Sequence, residues 1–192
     1  MGSLGSVGYL VVNTLGGIYI LAVLLRFMLQ VARADFYNPF TQAIVRITDP
    51  SVRLFRRFIP SVRGMDFASL VLALLAQCIA TSLLIVFSGF TIPSVGLVLS
   101  WSSVGLLSFI LNIYFWAMIG SIVASFIAPF SKHPALTLLR QLTEPIMEPF
   151  RRLLPSMGGL DFSPIFVFMA LQIIRILLID PVGINPRVVL GI

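Results

Sequence analysis

The sequence predicts an all-α membrane protein: four transmembrane helices in two parallel-orientation repeats, each with an amphipathic basic connector. Three observations predict it. The 192-residue chain is 58% hydrophobic and only 10% charged, whereas ordinary soluble domains carry about 25% charged residues. A globular core of this size could not hide so much apolar surface from water, and the bilayer is the simplest solvent for it. Four unbroken apolar stretches approach the roughly 20 residues a helix needs to cross the hydrocarbon layer. Finally, the chain aligns with itself without a gap at an offset of 95 residues.

The first stretch runs from about Val7 to Leu29. No basic segment precedes it, and it is longer than the apolar part of a signal peptide, so it reads as a retained span. The second runs from about Phe67 to Phe87 and the third lies within Val104–Ile127. The fourth, about Phe162–Ile179, is the shortest and contains Arg175. Unbroken rather than alternating runs point to helices, because lipid leaves only helices or closed barrels as spanning structures. Thr91–Ser103 is apolar but holds Pro93, Gly96 and several serines. It reads as a loop dipping toward the interface.

The self-alignment is densest over residues 38–67, where 11 of 30 positions are identical: Pro39, Thr48, Pro50, Phe55, Arg56, Arg57, Pro60, Ser61, Gly64, Asp66 and Phe67. Most of these are polar, Pro or Gly, so apolar composition alone cannot produce the match. The repeats are residues 1–94 and 95–192, each a span, a connector and a second span. Two spans return the chain to its starting side, so the copies share one orientation, unlike the inverted repeats of many transporters. Charge agrees. Val31–Asp66 holds Arg33, Arg46, Arg53, Arg56, Arg57 and Arg63; Pro129–Asp161 holds Lys132, Arg140, Arg151 and Arg152; the segment 88–103 holds none. The positive-inside rule then places both connectors in the cytoplasm and both termini outside. The net charge of +6 therefore speaks of topology, and no nucleic-acid partner is expected.

Within the first connector Phe40, Ala43, Ile44 and Ile47 recur at helical spacing. Pro50 suits the first turn of a second short helix, whose apolar face is Val52, Phe55, Phe58 and Ile59 and which Pro60 ends. The expected shape is a bent, two-piece helix lying at the membrane surface.

Several residues carry candidate chemistry. The pairs Arg56–Arg57 and Arg151–Arg152 are suited to clamp a lipid phosphate or an acidic partner, or to snorkel at the headgroup boundary. Asp66 and Asp161 follow Gly64 and Gly159 by two residues and directly precede apolar helices. Each fits a helix cap or a pair with an arginine of its own connector. With Pro60 and Pro155 they make a structural elbow. Gln77 lies 11 residues, about three turns, beyond Asp66. Gln77 and Gln172 suit a polar path or hydrogen bonds between helices. Arg26 and Arg175 are charges inside spans, which mark functional sites by default, yet both lie within snorkelling reach of a span end. Ala117, Gly120 and Ala124 give the third span a small-residue face. Cys78 and His133 each stand alone of their kind, so no disulfide, metal site or catalytic triad is expected. No cofactor and no catalytic activity are expected either. The expected partners are anionic membrane lipids, a membrane protein or a second copy of the chain.

Two copies of span, "FRRxxPS…GxDF" and span resemble the YggT (YlmG-related) family of small integral membrane proteins. The resemblance covers roughly residues 7–180. It rests on Pro39, Pro50, Phe55, Arg56, Arg57, Pro60, Gly64 and Asp66, and on Pro134, Pro145, Phe150, Arg151, Arg152, Pro155, Gly159 and Asp161. The second copy has Ser163–Pro164 where the first has Ala68–Ser69. The resemblance implies a bacterial inner-membrane protein linked to osmotic or extracytoplasmic stress and ion homeostasis; chloroplast relatives imply assembly of a cytochrome complex. It supplies no catalytic residue. The readings carried forward are a membrane-homeostasis protein whose connectors engage anionic lipid or a partner, a small oligomeric channel or ion-uptake component, and an assembly factor.

Overall fold

The computed structural model describes residues 2–61, 64–153 and 161–192. Among the described residues there are six helices: α1 (Ser3–Val31), α2 (Pro39–Arg56), α3 (Phe67–Phe87), α4 (Val95–Ile127), α5 (Pro134–Leu153) and α6 (Ser163–Leu178). α1 includes one π-helical turn at Val12–Gly16, and a 3₁₀ turn, Asp180–Val182, follows α6. Four helical segments are long and apolar enough to cross a membrane: α1, α3, α4, and α6 together with its 3₁₀ turn. Among the described residues no strand is present. The chain is an all-helical protein with the character of a multi-pass membrane protein.

Three sequence-based expectations change. First, α4 begins at Val95, so only Thr91–Ser94 of the expected loop Thr91–Ser103 is non-helical. The serines tolerate the helix because Ser100 donates to the Leu97 carbonyl (3.0 Å) and Ser103 to that of Leu99 (2.8 Å), which satisfies their hydroxyls locally. Second, the connector is one helix that runs through Pro50, not two pieces meeting there, and α5 likewise runs through Pro145 and Pro149. An internal proline loses a ladder bond and crowds the carbonyl one turn back. Around Pro50 side chains reinforce the turn: Thr48 donates to the Ile44 carbonyl (2.8 Å) and receives a hydrogen bond from Arg26 (3.0 Å). Third, α2 ends at Arg56, ahead of Pro60, and the amides of Phe58 and Ile59 close it on the Phe55 carbonyl.

α3 is the centre of the first half. Ile20, Val23 and Leu24 of α1, Leu72, Ala73 and Leu84 of α3, Leu106 and Ile113 of α4 and Val52 of α2 form one buried cluster. A second cluster joins Leu111 and Met118 of α4 to Met147 of α5 and to Val167 and Leu171 of α6. α4 therefore serves both. α1 comes close to α3 at Gly8, where a Cβ would stand 2.6 Å from the Phe87 ring. The small-residue face of α4 receives α5: a Cβ at Gly120 would lie 3.4 Å from Leu139. The two connectors also touch. The Asp35 amide donates to Gln141 Oε1 (3.0 Å) and Asn38 Nδ2 to the Pro134 carbonyl (2.8 Å).

Candidate functional site

The last two turns of α1 put Arg26 under α2 instead of letting it snorkel. Arg26 is 6% exposed and donates to Asp49 Oδ1 and Thr48 Oγ1, both at 3.0 Å. Its Nε lies 3.8 Å from Asp66 Oδ2. Asp66 is fully buried and accepts from Arg56 (2.6 Å) and from the Ser69 hydroxyl (2.8 Å). Asp49 also pairs with Arg53 (2.6 Å), one turn on. The result is a linked network, Arg53–Asp49–Arg26–Asp66–Arg56, that ties α1, α2 and the start of α3 together. Gln30 adds a hydrogen bond to the Gly64 carbonyl (2.7 Å), and Gly64 turns the chain with φ +79°.

The electrostatics follow from this geometry. Burial pushes the Asp66 carboxyl up, but hydrogen bonds from Arg56 and Ser69 and the charges of Arg56 and Arg26 outweigh it, so Asp66 is held below the usual carboxylate range. Burial opposes ionisation of Asp49 too, and Arg26, Arg53 and Arg56 together hold it low. The Arg56 guanidinium is shifted upward, chiefly by its hydrogen bond to Asp66. Above the network lies an open cavity of about 640 Å³, lined by Arg26, Arg33, Thr41, Asp49, Arg53 and Arg56 among others.

The equivalent place in the second connector is built differently. Arg151 pairs with both Asp161 (2.9 Å) and Glu144 (2.6 Å), and all three side chains are 42–52% exposed. Arg152 pairs with Glu148. Six positions can be compared at the 95-residue offset. The first connector has Arg26, Arg33, Arg53 and Arg56 against Asp49 and Asp66; the second has only Arg151 against Glu144, Glu148 and Asp161, with Ser121 and Ala128 uncharged. The two places carry opposite net charge.

The remaining candidates separate as follows. The arginines of each pair have different partners: Arg56 is held by Asp66, whereas Arg57 is exposed, and Arg151 pairs with Asp161 and Glu144, whereas Arg152 pairs with Glu148. Asp161 accepts from the Ser163 amide two residues on (2.9 Å), a local turn just ahead of the helix, whose N-cap position is Phe162. Asp66 occupies the N-cap position of α3, but its side chain makes no cap bond and serves the arginines and the Ser69 hydroxyl instead. Pro155 and Gly159 lie outside the described residues. Gln77 is fully buried and donates to the Leu190 carbonyl (2.9 Å); Gln172 is exposed. The two glutamines thus sit in different surroundings, one buried and one exposed. Arg175 donates to Asn112 Oδ1 (3.3 Å), and Asn112 donates in turn to the Gly191 carbonyl (2.9 Å). The C-terminal segment, with Val188, Val189 and Leu190 buried, is folded back onto α3 and α4. Sequence reasoning missed this segment, although its apolar run "RVVLGI" was the available signal. It also missed the partners of Arg26 and the position of Arg33.

The family model described as CCB3/YggT matches residues 6–87 and 100–182. The chain belongs to the CCB3/YggT family. Relatives in this family include an uncharacterised protein of Pseudomonas aeruginosa, 46% identical over 171 residues that cover 88% of this chain and 87% of that one. An uncharacterised protein encoded in the proC 3′ region of Vibrio alginolyticus is 37% identical, with 90% and 93% coverage. The uncharacterised protein YggT of Escherichia coli is 35% identical, with 85% and 84% coverage. No solved structure matches this family member. None of these relatives carries an enzyme name.

Proposed function

We propose that this CCB3/YggT-family chain is a non-enzymatic protein of the bacterial inner membrane, acting in membrane homeostasis or the response to osmotic or extracytoplasmic stress. In this reading it is built from two parallel repeats, with cytoplasmic connectors engaging anionic headgroups and both termini periplasmic. One observation carries it. On α2, Phe40, Ile47 and Leu54 recur every seven residues and all are exposed, as is Phe58 beyond the helix end. This outer stripe is separate from the inner face, where Thr48 and Val52 are buried. Arg46, Arg53 and Arg57 are exposed on the same connector. An apolar stripe flanked by arginines suits a helix seated at an anionic membrane surface. Enrichment of phosphatidylglycerol around the protein in mixed nanodiscs tests the reading: it falls in Arg46→Gln and Arg57→Gln if the connector engages anionic lipid. Enrichment unchanged in both variants overturns it. Cysteine labelling at positions 33, 95 and 133 tests topology in the same proteins.

A second reading, an oligomeric ion path, draws on a different place. Asn112, Gln172 and Arg175 line an open cleft between α4 and α6, and polar groups inside spans ordinarily face a partner or water. A path there would run between copies of the chain. Flux in reconstituted vesicles, lost in Gln172→Leu, supports it; no flux from the purified protein contradicts it.

A further inference from the structure

We infer that the cavity between α1 and α2 binds one phosphate group, carried by a lipid headgroup or in solution, through Arg33, Arg53 and the Thr41 hydroxyl. The inference rests on the reading of the first connector as an element that engages anions, and it gives that reading a discrete site.

Arg33 is the first support. α1 closes with paired bonds, from the Arg33 amide to the Gln30 carbonyl (3.0 Å) and from the Ala34 amide to the Leu29 carbonyl (2.9 Å). This closure needs a left-handed residue, ordinarily glycine. α3 closes in the same way, with its amides at Gly89 and Phe90, and there the residue is glycine, at φ +81°. In α1 it is Arg33, at φ +52°, the one non-glycine with positive φ among the described residues. A strained backbone at a cavity wall points to a use for the side chain. Among the described residues Arg33 makes no ion pair and no side-chain hydrogen bond.

Thr41 is the second, independent support. It lines the same cavity, is 6% exposed, and its hydroxyl has no hydrogen-bond partner. Buried hydroxyls are ordinarily satisfied, so an oxygen-rich ligand is the missing partner. Arg53 supplies a second guanidinium. Among the described residues its one carboxylate partner is Asp49 on its own helix, and its side chain is 78% exposed, a pairing that is readily exchanged. Arg26 and Arg56 remain committed to Asp49 and Asp66 and leave the cavity an excess of positive charge. Planar guanidinium forks match phosphate oxygens in pairs. Leu29, Ala34 and Ile44 form an apolar wall beside them, suited to the glycerol or acyl part of a lipid.

The test uses the full chain in neutral detergent, titrated calorimetrically with inorganic phosphate and, separately, with dihexanoyl phosphatidylglycerol. The expected result is one saturable site per chain, weakened at least tenfold by Arg33→Gly and by Arg53→Gln, and several-fold by Thr41→Val. Arg33→Gly relieves the strained backbone, so its Tm rises while its affinity falls; a merely structural role would not separate the two. Comparable binding of both probes identifies a soluble phosphate site, and tighter binding of the lipid identifies a headgroup site. No saturable binding of either probe, or affinity unchanged in Arg33→Gly and Thr41→Val, overturns the inference. If nanodisc enrichment still falls in Arg57→Gln in that case, the connector reading stands without the site. If the site binds but no enrichment occurs, the site stands and the connector reading falls.

Discussion

Arg56 with Asp66 and Arg151 with Asp161 are the same two residue types, ten residues apart in both connectors. In the first, Asp66 is fully buried and shares its charge with a second arginine from α1. In the second, Asp161 is 43% exposed, and Arg151, about as exposed as Arg56 (42% against 43%), is divided between two carboxylates. One motif thus makes two different objects, a hub on a buried carboxylate and a surface pair. The deciding residue lies outside the motif: Arg26 where the offset position has Ser121. A charge under the connector requires carboxylates around it, and those carboxylates organise the remaining arginines.

The largest expected difference between the two comes from deleting each aspartate. Asp66→Ala leaves Arg26 and Arg56 short of a buried counter-charge and should cost about 3–5 kcal/mol, whereas Asp161→Ala should cost less than about 1 kcal/mol. Unfolding followed by circular dichroism in one detergent measures both. The glutamines divide in the same direction. Gln77→Leu strips the Leu190 carbonyl of its donor and should cost about 1–3 kcal/mol; Gln172→Leu should stay within about 0.5 kcal/mol. Next are the two helix ends. Arg33→Gly should stabilise by about 1 kcal/mol and Gly89→Ala destabilise by a similar amount, because only the left-handed backbone changes. The smallest separation is in acid. Asp49, Asp66 and Asp161 are all held below the ordinary carboxylate range. Each therefore contributes stability that is complete above about pH 4 and is lost as pH falls through the depressed folded value. Asp66→Asn and Asp161→Asn should each flatten the acid limb of a stability–pH curve; an acid limb unchanged in both would contradict the pairing.

Much of the fold was legible in the sequence because lipid leaves so few options. The span expected at about Phe67–Phe87 is the helix that forms, since the apolar run after Asp66 is unbroken. The ten-residue spacing of arginine and aspartate was readable as a pair because one helix end and a glycine turn return the chain that distance. What was not legible depends on elements meeting in space. Nothing local says that Arg26 will find Asp49 across 23 residues instead of reaching for the headgroups. Arg33 left no trace either: "LQVARADF" ends a helix without glycine, and many helices end without a left-handed residue, so nothing local marks Arg33. The prolines misled for a physical reason, since Pro50 reads as a helix start until the reinforcing side chains around it are known.

The central claim, that burial of the Asp66 carboxylate makes the first pair part of a hub while the exposed Asp161 leaves the second a surface contact, is tested most directly by matched double-mutant cycles. Arg56→Gln with Asp66→Asn, and Arg151→Gln with Asp161→Asn, are measured in the same detergent and buffer. The account predicts a coupling of about 2 kcal/mol or more for Arg56–Asp66 and below about 1 kcal/mol for Arg151–Asp161. Equal couplings, or the larger value at Arg151–Asp161, would contradict it.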